Sequence, residues 1–156
     1  MRIGYHAPLP PAATGVADYA QALLDAIKPI AEPAIAATSA DAHLYQLGNN
    51  PFHRPVFERF LANPGAALLH DANLHHYYLG ALPRQAYLAE FTRQYGVWYQ
   101  SFAERTWAER AVSGADPRYF RFPMLGQVIE SATGIIVHNR AAQQIVHAQG
   151  GCGKTV

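Results

Sequence analysis

The sequence holds a single cysteine, Cys152, among 156 residues, which excludes an intrachain disulfide and a multi-cysteine zinc site; its place near the carboxyl terminus also makes it a poor nucleophile. An excess of charge of one sign is lacking too. Twelve Lys and Arg face eleven Asp and Glu, a formal net charge of +1, so no field gathers phosphate backbones or anionic lipids and nucleic acid is not an expected partner. Long hydrophobic runs are missing as well, none approaching the roughly 20 residues that cross a bilayer. The start, Met1-Arg2-Ile3-Gly4-Tyr5-His6, reads as a strand and not as a charged segment followed by an apolar leader. A cytoplasmic protein is expected, at most peripheral at the inner membrane surface.

What is present is a repeated pattern. Ile3 to His6, Ala66 to His70 and Ile135 to His138 are short apolar runs that end on a histidine, each opening a polar loop that leads toward a helix. Strands buried on both faces of a parallel sheet read this way, and ligands collect outside their carboxyl ends. With 50% hydrophobic residues, the length suits one domain with a core of its own.

Apolar positions Val16, Tyr19, Ala20, Leu23, Leu24 and Ile27 predict a first helix, closed by Lys28 and Pro29. A strand over His43 to Leu47 is followed by Gly48-Asn49-Asn50-Pro51, where Asn50 suits a cap and Pro51 a first helical position, with Pro55 favouring a start nearer Arg54. Asn63-Pro64-Gly65 turns into the strand Ala66 to Leu69, and His70 to His76 reads as a polar loop. Then come a helix from Pro83 to Gly96, another from a Ser101/Glu104 capping box toward Val112, a third from about Met124 to Ala132, the strand Ile135 to Val137, and a last helix capped by Asn139 and stopped at Gly150. The stretch from Pro29 to Ala42 is short, so the sheet is expected either to lack a strand there or to hold a stunted one at Ala34 to Ala37. The order predicts an α/β fold, a Rossmann-like doubly wound and mainly parallel sheet with a helical insertion before the last strand. Residues 1–149 form this domain and 150–156 a tail or the start of a linker. The tail's Gly151-Cys152-Gly153-Lys154-Thr155 spells part of a phosphate-binding loop, but it follows a helix instead of a strand.

Four segments together carry a family resemblance: Pro8-Leu9-Pro10-Pro11 with Thr14-Gly15-Val16-Ala17-Asp18-Tyr19, Tyr45-Gln46-Leu47-Gly48-Asn49-Asn50-Pro51-Phe52-His53, Leu69-His70-Asp71 with Leu74-His75-His76, and Val137-His138-Asn139-Arg140. From Met1 to Gln149 the chain resembles the amino-terminal domain of family 4-like glycosyltransferases of the GT-B fold. The resemblance implies transfer, with retention, of a sugar from a nucleotide-sugar donor to a carbohydrate or lipid-linked acceptor, in a cleft between two Rossmann-like domains. The carboxyl-terminal donor-binding domain is outside this sequence, so this acceptor-side half is expected to be inactive alone, and apolar surface meant for its partner domain could drive self-association. No cofactor is implied beyond the nucleotide sugar, which is a substrate.

The resemblance places His70 near the transferred sugar as a catalytic candidate. Asp71 beside it is expected to orient the imidazole or to bind acceptor hydroxyls. Gly15 opens a helix whose unpaired amides and positive dipole end suit a phosphate or acceptor contact, although Asp18 already places a negative charge there. Asn49 and Asn50 offer amides to sugar hydroxyls, capping explaining Asn50 as well. His6 and His138 stand at strand mouths as further binding candidates, with a structural histidine and a helix-start role as the other readings. No metal is expected, because His70, Asp71, His75 and His76 match no metalloenzyme spacing. The aromatic residues from Tyr77 to Trp107 read either as helical core or as a surface for stacking on an acceptor. Two rival functions stay open: a stand-alone sugar- or nucleotide-binding module without catalysis, and a metal-assisted hydrolase built on the histidines.

Overall fold

The computed structural model describes residues 1–12 and 15–156; Ala13 and Thr14, inside the expected proline-rich loop and the first motif, lie outside the described residues. Five strands, β1 (Arg2–His6), β2 (Glu32–Ile35), β3 (Ala42–Leu47), β4 (Ala66–Leu69) and β5 (Gly134–Val137), form one sheet in the order β2-β1-β3-β4-β5. Every pairing is parallel. The helices are α1 (Gly15–Ile27), α2 (Arg54–Ala62), α3 (His75–Ala81), α4 (Arg84–Tyr95), α5 (Gln100–Ala108), α6 (Gly126–Ser131) and α7 (Arg140–Ala148). The fold is α/β and Rossmann-like, doubly wound, with α3 to α6 inserted between β4 and β5. Strand order reverses between β1 and β3, which puts the topological switch point there.

Side-chain alternation separates the two faces. Tyr5 points to α1, its hydroxyl donating to the Ala20 carbonyl at 2.6 Å. Tyr45 points to α2, with its hydroxyl donating to the Asn63 carbonyl at 2.5 Å and its ring edge-on to Phe60 at 5.4 Å. On β3, therefore, the next residue, Gln46, returns to the face of Tyr5. α1 buries Ala17, Ala20 and Leu24, small residues on the sheet side that let the helix lie close.

The core continues from the sheet into the insertion. Phe57, Tyr77 and Tyr78 interlock there, as do Tyr87, Phe91 and Phe122. Most of the aromatic series is thus core. Trp98, 94% exposed, and Tyr99 are not, and with Val97 they stand on the outer surface of the insertion.

Several local expectations change. The short stretch after α1 does contain a strand, β2, over Glu32–Ile35 instead of Ala34 to Ala37. Residues 70–76 are not all loop: α3 begins at His75, its first amides met by Asn73 Oδ1, which accepts from His75 N–H at 3.0 Å, and by Asn49 Oδ1, which accepts from Tyr77 N–H at 3.0 Å. Ser101 and Glu104 make no capping box. α5 starts at Gln100, with Tyr99 in place of Ser101 at its N-cap after a 3-10 turn over Val97–Tyr99, and Glu104 bonds the Gln100 side chain instead. That helix stops at Ala108 because the backbone tightens into a 3-10 segment, Arg110–Ala115. Asn50 does cap, but a 3-10 turn over Pro51–His53, and α2 follows from Arg54. The last helix is capped by Asn139 as expected. The terminal segment lies against β5, where Ile135 N–H donates to Lys154 O at 2.7 Å and Val156 N–H to Ile135 O at 2.8 Å.

Close approach of β3 to the start of β4 demands glycine at one place. A Cβ on Gly65 would sit 2.5 Å from the carbonyl oxygen of His43, and neither backbone can yield without breaking the ladder. Gly65→Ala is expected to lower stability by about 1–3 kcal/mol, read as a lower urea midpoint, whereas Gly15→Ala, with nothing within 4 Å of the added methyl, should stay within about 0.5 kcal/mol of the parent.

Candidate functional site

Because the strands run in one direction, the residues that follow β1, β3, β4 and β5 share one edge of the sheet. A cleft of about 290 Å³ opens at that edge, lined by Asn49, His70, Asp71, Ala72, Asn73, Phe120, Asn139, Ala141, Ala142 and Ile145. It lies after β3, β4 and β5, and its lining includes no lysine or arginine.

His70 enters the cleft from the end of β4, its backbone N–H fixed by the Leu47 carbonyl at 2.9 Å. Its Nε2 lies 2.8 Å from Gln46 Oε1. Rings surround it: Tyr19 edge-on at 5.1 Å, His138 at 5.5 Å and His53 at 6.1 Å between centroids. Tyr19 is also edge-on to His138 at 5.2 Å. Burial holds the His70 imidazole down to about 4, with His53 and His138 pushing the same way. It is a neutral ring in ordinary buffers.

Asp71 does not orient that ring. Its Oδ2 accepts from the Asn49 backbone N–H at 3.0 Å, which ties the loop after β3 to the loop after β4, while the second carboxylate oxygen has no partner among the described residues. The residue that orients His70 is Gln46, fully buried on β3. Asn49 lines the cleft, yet its amide is committed, Oδ1 to Tyr77 N–H and Nδ2 to His76 Nδ1 at 3.3 Å. Asn50 Oδ1 is used in its own turn, accepting from Phe52 N–H at 3.0 Å. Asn139 Oδ1 accepts from Ala142 N–H at 2.9 Å, and its Nδ2 has no partner among the described residues. Gly15 stands one helical turn before Tyr19, so α1 begins at the same edge as His70.

His6 is not part of this group. Alternation turns it to the opposite face from Tyr5, where it stacks on Tyr45 at 4.3 Å and its Nε2 lies 3.0 Å from His43 Nδ1. There it lines a separate hollow of about 240 Å³ with Ile35, Ala36, Pro55, Val56 and Arg59. The three strand-end histidines are therefore parallel in placement but split between faces, with only His70 and His138 in contact.

Among the described residues no three His, Cys, Asp or Glu side chains gather as metal ligands. His75 is buried beside Tyr87, its Nε2 2.8 Å from that hydroxyl, and His76 stacks on Tyr119 at 4.8 Å. Both are held in the aromatic core and its margin. Gln46, His53, Tyr19 and Phe120 also belong to the site or its wall, without a site role expected from the sequence. Gln46 had a signal, an amide inside an otherwise apolar strand core, which is costly to bury unless fully bonded. His53 had none, since only the fold brings its Nδ1 to the Gln46 carbonyl at 3.0 Å.

Burial holds His6, His70 and His75 each down to about 4, against an ordinary imidazole value of about 6.5. Between those values the unfolded chain binds protons that the folded chain does not, so stability is fully present above pH 6.5 and falls as pH drops toward 4. Urea unfolding at stepped pH should show the midpoint declining across that window, and a flat profile would contradict the buried neutral rings. Comparison of the chain with protein families, with curated proteins and with solved structures finds no match.

Proposed function

We propose that this chain is the acceptor-side Rossmann-like domain of a retaining glycosyltransferase, one that moves a sugar from a nucleotide-sugar donor to a hydroxyl of a carbohydrate or lipid-linked acceptor. The single observation that carries the reading is the chemistry of the cleft. It offers a neutral imidazole, a free carboxylate oxygen of Asp71, a free amide of Asn139 and the ring of Phe120, 74% exposed, with no cation in the lining. Acceptors and an uncharged donor beside an exposed aromatic ring suit a polyol, whose hydroxyls both give and take hydrogen bonds and whose CH faces pack on rings. An anion would find no ion pair there.

In this reading His70 and Asp71 touch reacting sugar hydroxyls, Asn139 and His138 border them, and Gly15 opens α1 toward the same space. Asn49 and Asn50 shape the loop beside the cleft, and His6 contributes from the other face of the sheet only as structure. The group that leaves a nucleotide sugar is a diphosphate on which negative charge develops, and stabilising it takes cations or aimed backbone donors. The cleft lining holds no lysine or arginine, which fits an acceptor half whose partner domain holds the donor. The family resemblance of the motifs supports the same assignment. No described helix is long and apolar enough to cross a membrane, so a lipid-linked acceptor would be met at a surface.

The test is to express the open reading frame with whatever native sequence follows Val156 and to assay sugar transfer, with the anomeric configuration of product read by NMR. Transfer with retention, lowered at least about tenfold in kcat by His70→Ala, is the expected outcome. Wild-type transfer unaffected by that substitution would remove His70 from the chemistry. Saccharide binding without transfer by the native protein would favour a binding module.

A further inference from the structure

The cluster behind His70 forms a hydrogen-bond relay whose polarity is fixed at its far end. A carbonyl oxygen only accepts, so the Tyr5 hydroxyl, 2.6 Å from Ala20 O, spends its one proton there. Toward Gln46 the same hydroxyl can then only accept, which forces the Gln46 Nε2 amide group to face Tyr5. The other end of that amide, Oε1, is left facing His70 Nε2 at 2.8 Å. Since Oε1 only accepts, His70 Nε2 must carry the hydrogen, and in the neutral ring Nδ1 is then bare. Gln46 also holds a second ring, its backbone carbonyl taking the bond from His53 Nδ1 at 3.0 Å. Gln46 and Tyr5 are both fully buried, so water does not compete for either group.

We propose that Gln46 is a positioning residue that, held by Tyr5 and the Ala20 carbonyl, locks His70 in the Nε2–H tautomer and presents a bare Nδ1 to the cleft, selecting ligands that donate a hydrogen bond, such as a hydroxyl. The lock stands on this geometry alone, while its choice of ligand rests on the function proposed above. Among the described residues nothing else near His70 performs the same task. Asp71 is turned to Asn49 N–H, and Tyr19 and His138 meet the ring by edge or tilt. A ring anchored at Nε2 cannot rotate to offer its N–H outward without breaking the relay and stranding a buried amide, which costs about 1–3 kcal/mol. Selection against an acceptor-only ligand follows from the same anchoring.

Long-range proton–nitrogen NMR of the chain, labelled with ¹⁵N, reads the tautomer directly. In the parent, His70 should show a pyrrole-type Nε2 with a visible, slowly exchanging proton and a pyridine-type Nδ1. Gln46→Leu should lose that proton signal to exchange. Gln46→Glu keeps an acceptor, so the signal should persist while the His70 pKa climbs from about 4 toward the ordinary 6.5, because a carboxylate favours the imidazolium. That split separates positioning from simple packing. Should the buried carboxylate prevent folding, Tyr5→Phe serves in its place: it frees the amide to flip, and a mixed His70 tautomer is expected. A parent ring protonated at Nδ1, or an Nε2 proton that survives unchanged in Gln46→Leu and a pure tautomer in Tyr5→Phe, would overturn the lock. For the ligand, neutral saccharides titrated into the parent should shift His70 Nδ1. If the lock behaves as expected and no saccharide reaches Nδ1, the polyol reading of the cleft fails and the lock stands.

Discussion

The period-two alternation of side chains along parallel strands is the constraint from which the rest of this molecule follows. It assigns Tyr5 and Gln46 to the α1 face and His6 and Tyr45 to the α2 face, one residue apart on each strand. A shift of one residue in the pairing of β1 with β3 would exchange the two sets. Gln46 would then turn away from Tyr5, and the relay to His70 would be lost. Register is held by the apolar content of β4, buried from Ala67 to Leu69, and by the tight passage of Gly65 beside His43.

On the α1 face the same constraint brings polar groups together where water is absent. A buried amide and phenol are tolerated only because each donor finds an acceptor: Tyr5 to Ala20, Gln46 to Tyr5, His70 to Gln46, His53 to the Gln46 carbonyl. A satisfied network of this kind rigidifies the strand ends and leaves unspent hydrogen-bonding capacity only at its outer limit, in the cleft. The loops are fixed by a second set of bonds, with Asp71 and Asn49 joining the ends of β4 and β3 and Asn49 also capping α3. Conserving these bonds in the folded state makes the cleft a preformed surface.

Much of the architecture was legible in the chain. Short apolar strands, Pro and Gly at helix limits and the caps at Asn50 and Asn139 are local signals, and each was met close to its expected place. The Ser101/Glu104 pair was not, because a 3-10 turn from Val97 moves the N-cap two residues back to Tyr99 and leaves Ser101 inside the helix. α3 was hidden for another reason: part of its amino-terminal capping comes from Asn49, twenty-eight residues before the amide it meets, and no window along the sequence contains both partners.

By itself the sequence determined most of the strand and helix segments, the parallel α/β class and the presence of histidines at strand ends, since these depend on periodicity and on residues adjacent in the chain. Only the tertiary structure decided which of those histidines lines the cleft and which touches it, that Gln46 and not Asp71 orients His70, and that Asn49 spends its amide on a helix start. The reason is physical: a buried polar group takes whichever partner the packing brings within about 3 Å, and that partner is set by which face each strand turns inward, not by distance along the chain.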